Sequence, residues 1–336
     1  MKIPWRFTIG LLSGFMLAVS FFVGALYTQL GVPTHMSQWI SDISQKKERL
    51  AARIPGPRLL VVGGSCALFG INAQVIQQQT GYLTVNMATH AGLHLEYILD
   101  RIEKTARPGD TILLVPEYEF YLNRSSFGWE IHDDYILARD PGYFRQMSLP
   151  DKIGMATRIP FKRLQTGWRN RRGTTDHTRP PSPPYSPYTP ISPGIDCLDE
   201  NGDEIFNTVA GQPPPSAAMQ EPDVLLRDGF ASKNTDGFAE LTAFIQWARS
   251  HHVTVLAAFP SIVSQPIYDA PTARKALETI TRFYTSHGVP VVGNPQEAML
   301  PLDQFFDTRY HLIFSAALQR TEHLLPELQP YLTPAR

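Results

Sequence analysis

The chain has 336 residues, a formal net charge of −1 and a hydrophobic fraction of 43%. That length allows one large domain or two small ones, and the apolar share is ample for a core. The near-neutral charge argues against nucleic acid as the main partner.

The first segment is of a different kind from the rest. Lys2 and Arg6 precede Phe7–Tyr27, a run without a charged residue. At ~1.5 Å per helical residue, such a run matches a hydrocarbon core of ~30 Å. A secretory signal peptide would carry a shorter apolar region, ~7–15 residues, and an A-x-A-like cleavage site. The residues after Gly24 (Ala25-Leu26-Tyr27-Thr28) make a poor site. The expectation is an anchor over residues 1–30, with the N-terminus inside and the body outside, because the flanking positive charges lie before the span. Residues 31–57 read as a linker with a short helix, ending at Pro55-Gly56-Pro57.

From residue 58 to the C-terminus at 336 the pattern is that of an α/β domain. Arg58–Gly63 is an apolar run bounded by glycine and predicts a buried strand. Ala73–Gln79 predicts a helix stopped by Gly81, and Leu83–Met87 a second strand. Leu95, Ile98, Leu99 and Ile102 recur at helical spacing up to Arg107-Pro108-Gly109-Asp110, and Thr111–Pro116 predicts a third strand. Residues 122–232 then hold few periodic runs and read as an insertion. Its stretch Arg179–Gly194 is so rich in proline that neither helix nor central strand fits it. Alternation resumes with a helix from Asp236, strands Val253–Phe259 and Val289–Gly293, a helix Ala270–His287 between them, and a last helix Ile313–Leu325. Strands alternating with helices predict a doubly wound, mainly five-stranded parallel sheet. Ligands of such sheets bind at the carboxyl ends of the strands, where Ser65 and Glu117 both fall.

Two short motifs carry chemistry. Leu59-Leu60-Val61-Val62-Gly63-Gly64-Ser65 ends a strand on a serine, and Phe306-Asp307-Thr308-Arg309-Tyr310-His311 lies near the C-terminus. A serine nucleophile needs a base, and the base needs an orienting carboxylate. Ser65, His311 and Asp307 supply the three. An unperturbed imidazole titrates near ~6.5, so His311 suits the base, and Asp307 would fix its tautomer. The alternative reading is a tight turn feeding a helix at Ser65, with Asp307 capping a turn.

These residues resemble the SGNH (GDSL-like) hydrolase superfamily. Val61–Asn72 is similar to the first block of a membrane-anchored branch of it, and Phe306–Leu312 to its last block. The resemblance implies a flavodoxin-like fold and a Ser65–His311–Asp307 triad. It also implies an oxyanion hole from the backbone N–H groups of Ser65 and Gly92, the latter in Asn86-Met87-Ala88-Thr89-His90-Ala91-Gly92. It depicts a serine esterase or O-acyltransferase acting on acyl esters of an extracytoplasmic polysaccharide. Such a protein would be held by one span in the inner (plasma) membrane of a bacterium, with the catalytic domain periplasmic or extracellular. Membrane lipid, an acyl-ester or polysaccharide substrate and a polysaccharide (for example cellulose) synthase complex are then the expected partners, and no cofactor is called for. The rival is a non-catalytic scaffold of the same fold in a polysaccharide synthesis and export complex. The chain departs from the superfamily in three places. Gly64 replaces the aspartate that usually precedes the serine, Pro116-Glu117-Tyr118-Glu119 stands where an oxyanion Asn is usual, and the spacing is D-x-x-x-H.

Other candidates are weaker. His90 and His94 have a metal-like spacing, but Gly92 between them disfavours helix and no third ligand is near. No metal site is expected. One of Glu117 and Glu119 could replace the missing Asn by positioning a substrate hydroxyl, but such carboxylates more often form structural ion pairs, so both stay outside the catalytic set. A basic stretch from Lys152 to Arg172, with Phe161 and Trp168, is either a solvated face or a surface for anionic lipid beside the anchor or for a polymer. Cys66 and Cys197 define no disulfide framework.

Overall fold

A computed structural model describes residues 5–122, 127–172, 195–208, 224–227, 230 and 235–332. The proline-rich stretch Arg179–Gly194 and Lys2 lie outside these residues. The chain divides into two compact units, Met1–Ser41 with Trp129–Pro183, and Asp42–Gly128 with Pro184–Arg336.

The second unit is the α/β domain. Its strands β1 (Leu59–Val62), β2 (Thr84–Asn86), β3 (Thr111–Leu114), β4 (Thr254–Ala258) and β6 (Val291–Val292) form one all-parallel sheet in the order β2-β1-β3-β4-β6. All four residues of β1 and of β3 are buried, as expected of strands covered on both faces by crossover helices. The helices between them are those the periodicity predicts. In α5 (Leu95–Thr105), Leu95, Ile98, Leu99 and Ile102 are buried. In α10 (Asp236–Ser250) the buried face is Phe238, Leu241, Phe244, Ile245 and Ala248. The same unit holds α3 (Ser65–Gly70), α4 (Ala73–Thr80), α11 (Pro271–Ser286) and α12 (Phe314–Leu328). A second, small parallel pair joins β5 (Ile262–Val263) to β7 (Met299–Leu300). It has no sequence signal, because two-residue strands carry no period.

The chain leaves β1 to form β2 on one side and returns to form β3 on the other. The carboxyl ends of β1 and β3 therefore make the topological switch point of the sheet, the usual place for a ligand. At the opposite end, a buried pair ties the starts of these two strands. Arg58 Nη2 lies 2.5 Å from Asp110 Oδ2, and neither side chain is exposed.

The stretch 122–232 divides between the two units. Residues 195–208 belong to the α/β unit. Asn201 accepts from the Asn86 N–H with its carbonyl and donates its side chain to the Thr84 carbonyl, covering the outer edge of β2. Asp203 accepts the Ala73 and Gln74 N–H groups at the start of α4. Asn207 donates to the Leu312 carbonyl and accepts from the Phe314 N–H.

The other part of that stretch is helical: α6 (Glu130–Arg139), α7 (Pro141–Gln146), α8 (Leu149–Arg158) and α9 (Phe161–Arg171). Short helices opened by Pro141 and Pro150, with capping by Asp140 and Ser148, give little periodicity to read. They share the first unit with α1 (Trp5–Tyr27), an apolar helix of 23 residues with only Ala25 and Leu26 buried. Length and composition make α1 a helix fit to be an anchor or a signal sequence. The linker contains α2 (Gln38–Arg53), and the boundary between the units falls inside it.

Candidate functional site

At the end of β1 two glycines let backbones and a carboxylate approach where a side chain would not fit. A Cβ on Gly63 would stand 2.2 Å from the Val115 carbonyl oxygen. A Cβ on Gly64 would stand 2.4 Å from Glu117 Oε1 and 2.8 Å from the Ala91 Cα. Glu117, at the end of β3, reaches under the turn. Its carboxylate accepts the N–H of Gly64 at 3.1 Å and of Cys66 at 2.9 Å, the two residues flanking Ser65. Gly64 and the Glu117 stretch thus form one arrangement. Glu117 occupies the space that a residue-64 side chain would need, and it anchors the serine turn from below.

Glu117 is buried, and burial pushes its carboxyl up to about 7, against the pull of its backbone hydrogen bonds. The unfolded chain therefore ionises this group near 4.5, while the folded chain holds the proton until about 7. Its contribution to stability is complete below 4.5 and is lost as pH rises from there through 7. Comparing denaturant midpoints of wild type and Glu117→Gln at about pH 4.5 and about pH 7.5 should show the difference between them moving in favour of the variant at the higher pH. The expected change is on the order of 3 kcal/mol, because each tenfold difference in proton affinity between the two states is worth ~1.4 kcal/mol. A pH-independent difference would mean that the carboxyl is not buried as described.

Ser65 opens α3 and is half-buried. One turn later on the same helix, Phe69 stacks on the His311 ring, with centroids 4.2 Å apart and planes 17° apart. Phe69 also stacks on Phe306. Residues 305–312 close on themselves through the Phe306 N–H to His311 carbonyl bond of 2.7 Å and the Phe305–Leu312 bridge. Thr308 Oγ1 accepts from the Tyr310 and His311 N–H groups inside this loop. The closure brings His311 Nδ1 to 2.7 Å from Asp307 Oδ1, with the ring mostly covered and the carboxylate half in solvent. With the Nδ1 proton directed at the carboxylate, Nε2 carries the lone pair, the tautomer a general base requires. Among the described residues, the Ser65 hydroxyl has no hydrogen-bond partner, His311 included.

The loop is held from the turn after β3. Glu119 forms an ion pair with Arg309 and accepts the Tyr310 hydroxyl at 2.8 Å. Glu117 and Glu119 are therefore positioning residues on the two halves of the site, one for the serine turn and one for the Asp–His loop. Their sequence signal is the Glu-x-Glu alternation just past a strand end, but alternation alone does not say which backbone a carboxylate will reach.

Gly92 is buried, next in the chain to Ala91, whose Cα abuts Gly64, and its N–H donates to His90 Nδ1 at 2.9 Å. That bond puts the His90 proton on Nε2. Burial, with His311 nearby, pushes the His90 imidazole down to about 4, so it is neutral in the ordinary pH range. The closeness of His90 to His311 has no sequence signal beyond the turn after β2. His94 takes another direction, with Nε2 donating to the Gly128 carbonyl at 2.5 Å. Among the described residues no group of three His, Cys, Asp or Glu side chains is placed to hold a metal ion. Cys66 is a free thiol. The Cys66 thiol is buried, donates to the Val115 carbonyl and is pushed well up by burial, which makes it an inert neighbour of Ser65.

A cavity of about 650 Å³ opens elsewhere, in the helical unit, lined in part by Met36, Trp129, Arg158 and Ile159. It holds none of the groups above. Chemically, the arrangement around Ser65 offers a hydroxyl at a helix start and an oriented imidazole on one face of Phe69, which suits acyl transfer through the serine. No family model, no curated protein and no solved structure matches this chain.

Proposed function

We propose that the protein is a membrane-anchored serine esterase or O-acyltransferase of SGNH type, acting on acyl esters of an extracytoplasmic polysaccharide. The observation that carries this reading is the 2.7 Å Asp307–His311 bond on a ring stacked against Phe69, one helical turn from Ser65. In this reading Ser65 attacks the acyl carbonyl as His311 Nε2 takes its proton, and Asp307 stabilises the imidazolium. His311 gives that proton to the departing alcohol oxygen, leaving the acyl-enzyme. Water or a sugar hydroxyl then attacks the acyl carbonyl as His311 takes its proton, and His311 returns that proton to the Ser65 oxygen as the bond to Ser65 breaks. The Ser65 N–H receives the oxyanion, and Gly92 joins it once His90 turns from its N–H. The apolar helix α1 spans the bacterial inner membrane with the N-terminus inside.

A second reading has its own support. The unpartnered Ser65 hydroxyl and the engaged Gly92 N–H are what a non-catalytic scaffold of a polysaccharide synthesis and export complex would have. A serine-directed fluorophosphonate applied to the full-length protein separates the two. The enzyme reading expects covalent labelling at Ser65, lost in His311→Ala. No adduct at any concentration that labels a control esterase would leave the scaffold.

A further inference from the structure

The helices α8 and α9 leave large apolar side chains in the open. Leu149 and Ile153, one turn apart on α8, are 70% and 56% exposed, and Phe161 at the start of α9 is 65% exposed. Scattered single exposures are ordinary, but these three fall within thirteen residues of a strongly basic stretch. From residue 141 to 172 the chain has eight Lys and Arg residues and one acid, Asp151. Arg158 and Arg163 are engaged by Asp133 and Asp134 of α6. Arg145, Lys152, Lys162, Arg169, Arg171 and Arg172 are the other six.

The same helices grip the end of α1. Trp168 Nε1 donates to Thr28 Oγ1 at 3.1 Å, Arg171 to the Thr28 carbonyl at 2.8 Å, and Asn170 to the Pro33 carbonyl at 2.8 Å. Arg163 donates to Gln29, and from α6 the Leu137 carbonyl accepts the Gly31 N–H. Tyr27 meets Phe144 of α7 edge to face, with centroids 6.1 Å apart. The apolar run stops at Tyr27, so these bonds hold α7–α9 at the depth where a spanning helix leaves the hydrocarbon.

We infer that α8 and α9 form an interfacial docking platform for a bilayer surface bearing anionic phospholipid, with Leu149, Ile153 and Phe161 entering the headgroup layer beside the anchor. The occupant follows from the bonds that tie these helices to the end of the apolar helix α1 and from the positive charge around the exposed side chains. Amphipathic helices with basic polar faces bind such surfaces by apolar burial and by attraction to anionic lipid together. The inference rests on the reading of α1 as a span.

The test uses the full-length protein in lipid nanodiscs, with Cys197 replaced by Ser and one environment-sensitive fluorophore at a time on Ile153→Cys or Phe161→Cys. Leu17→Cys in α1 and Arg282→Cys in the α/β unit serve as deep and aqueous references. Nitroxide lipids report depth, and phosphatidylcholine discs are compared with discs rich in phosphatidylglycerol. Labels at 153 and 161 should be quenched severalfold more by a nitroxide near the headgroup than the label at 282, and more in the anionic discs. If 17 is quenched deeply while 153 and 161 behave like 282, the platform is overturned and the anchor stands. If 17 itself is not quenched, the spanning reading fails and takes the platform with it.

Discussion

Replacing Ser65 by Ala should abolish turnover of a small acetyl ester, by about 10³-fold or more, while leaving the unfolding transition where it was. The hydroxyl makes no hydrogen bond among the described residues, so its loss removes a reacting atom and no structural contact. His311→Ala should cost about as much, since serine and base act as a unit. It should also loosen the loop slightly, because the ring loses its stack on Phe69. Asp307→Asn should cost less than either. The carboxylate orients the ring and is itself half in solvent, where water screens part of its effect on the imidazolium. Steady-state kinetics on the three variants, with circular dichroism as the control, decides the matter. Equal rates for wild type and Ser65→Ala would remove the serine from the chemistry. Ester content of the secreted polymer from Ser65→Ala cells extends the same comparison to the proposed substrate.

Arg58→Met should destabilise the α/β unit by about 3–5 kcal/mol without touching the site. The Asp110 carboxylate would stay buried, with the Arg58 and Arg107 N–H groups as donors but without its cation. The guanidinium also donates to the Ala51 and Thr105 carbonyls, which would lose their partner. Total stability of a protein of this size is on the order of 5–15 kcal/mol, so the variant should unfold at a visibly lower denaturant concentration. Because the pair ties the amino ends of β1 and β3, opposite the switch point, whatever fraction remains folded should keep its specific activity. A shift below about 1 kcal/mol would mean that water reaches the pair. The two predictions thus separate the two ends of one sheet, the proposed chemistry at the carboxyl end and support at the amino end.

What the sequence determined by itself is what short-range periodicity encodes. The five strands, their all-parallel α/β arrangement and the buried faces of α5 and α10 follow from apolar spacing within about a dozen residues. The apolar helix α1 follows from a run without charges. Asp307 and His311 are four residues apart, so one closed turn suffices to join them, and that pairing is legible too.

Tertiary structure decided the rest, for a physical reason visible at particular residues. A buried carboxylate must find donors, but nothing local says where. Glu117 finds them at Gly64 and Cys66, more than fifty residues back, and Glu119 finds Arg309 and Tyr310, about 190 residues ahead. The absence of a side chain at Gly64 has meaning only once the Glu117 carboxylate is seen in its place. Gly92 is the donor that the resemblance implies, yet the neighbouring His90 takes its N–H, a competition that residue type cannot rank. Asn201, Asp203 and Asn207 cover a sheet edge, cap α4 and hold the last helix from within a stretch that reads as an insertion with few periodic runs, because polar side chains bonded to backbone leave no hydrophobic period. Patterns of apolar residues name the elements. Long-range polar pairing, which costs free energy unless it is satisfied, chooses how their ends meet around Ser65.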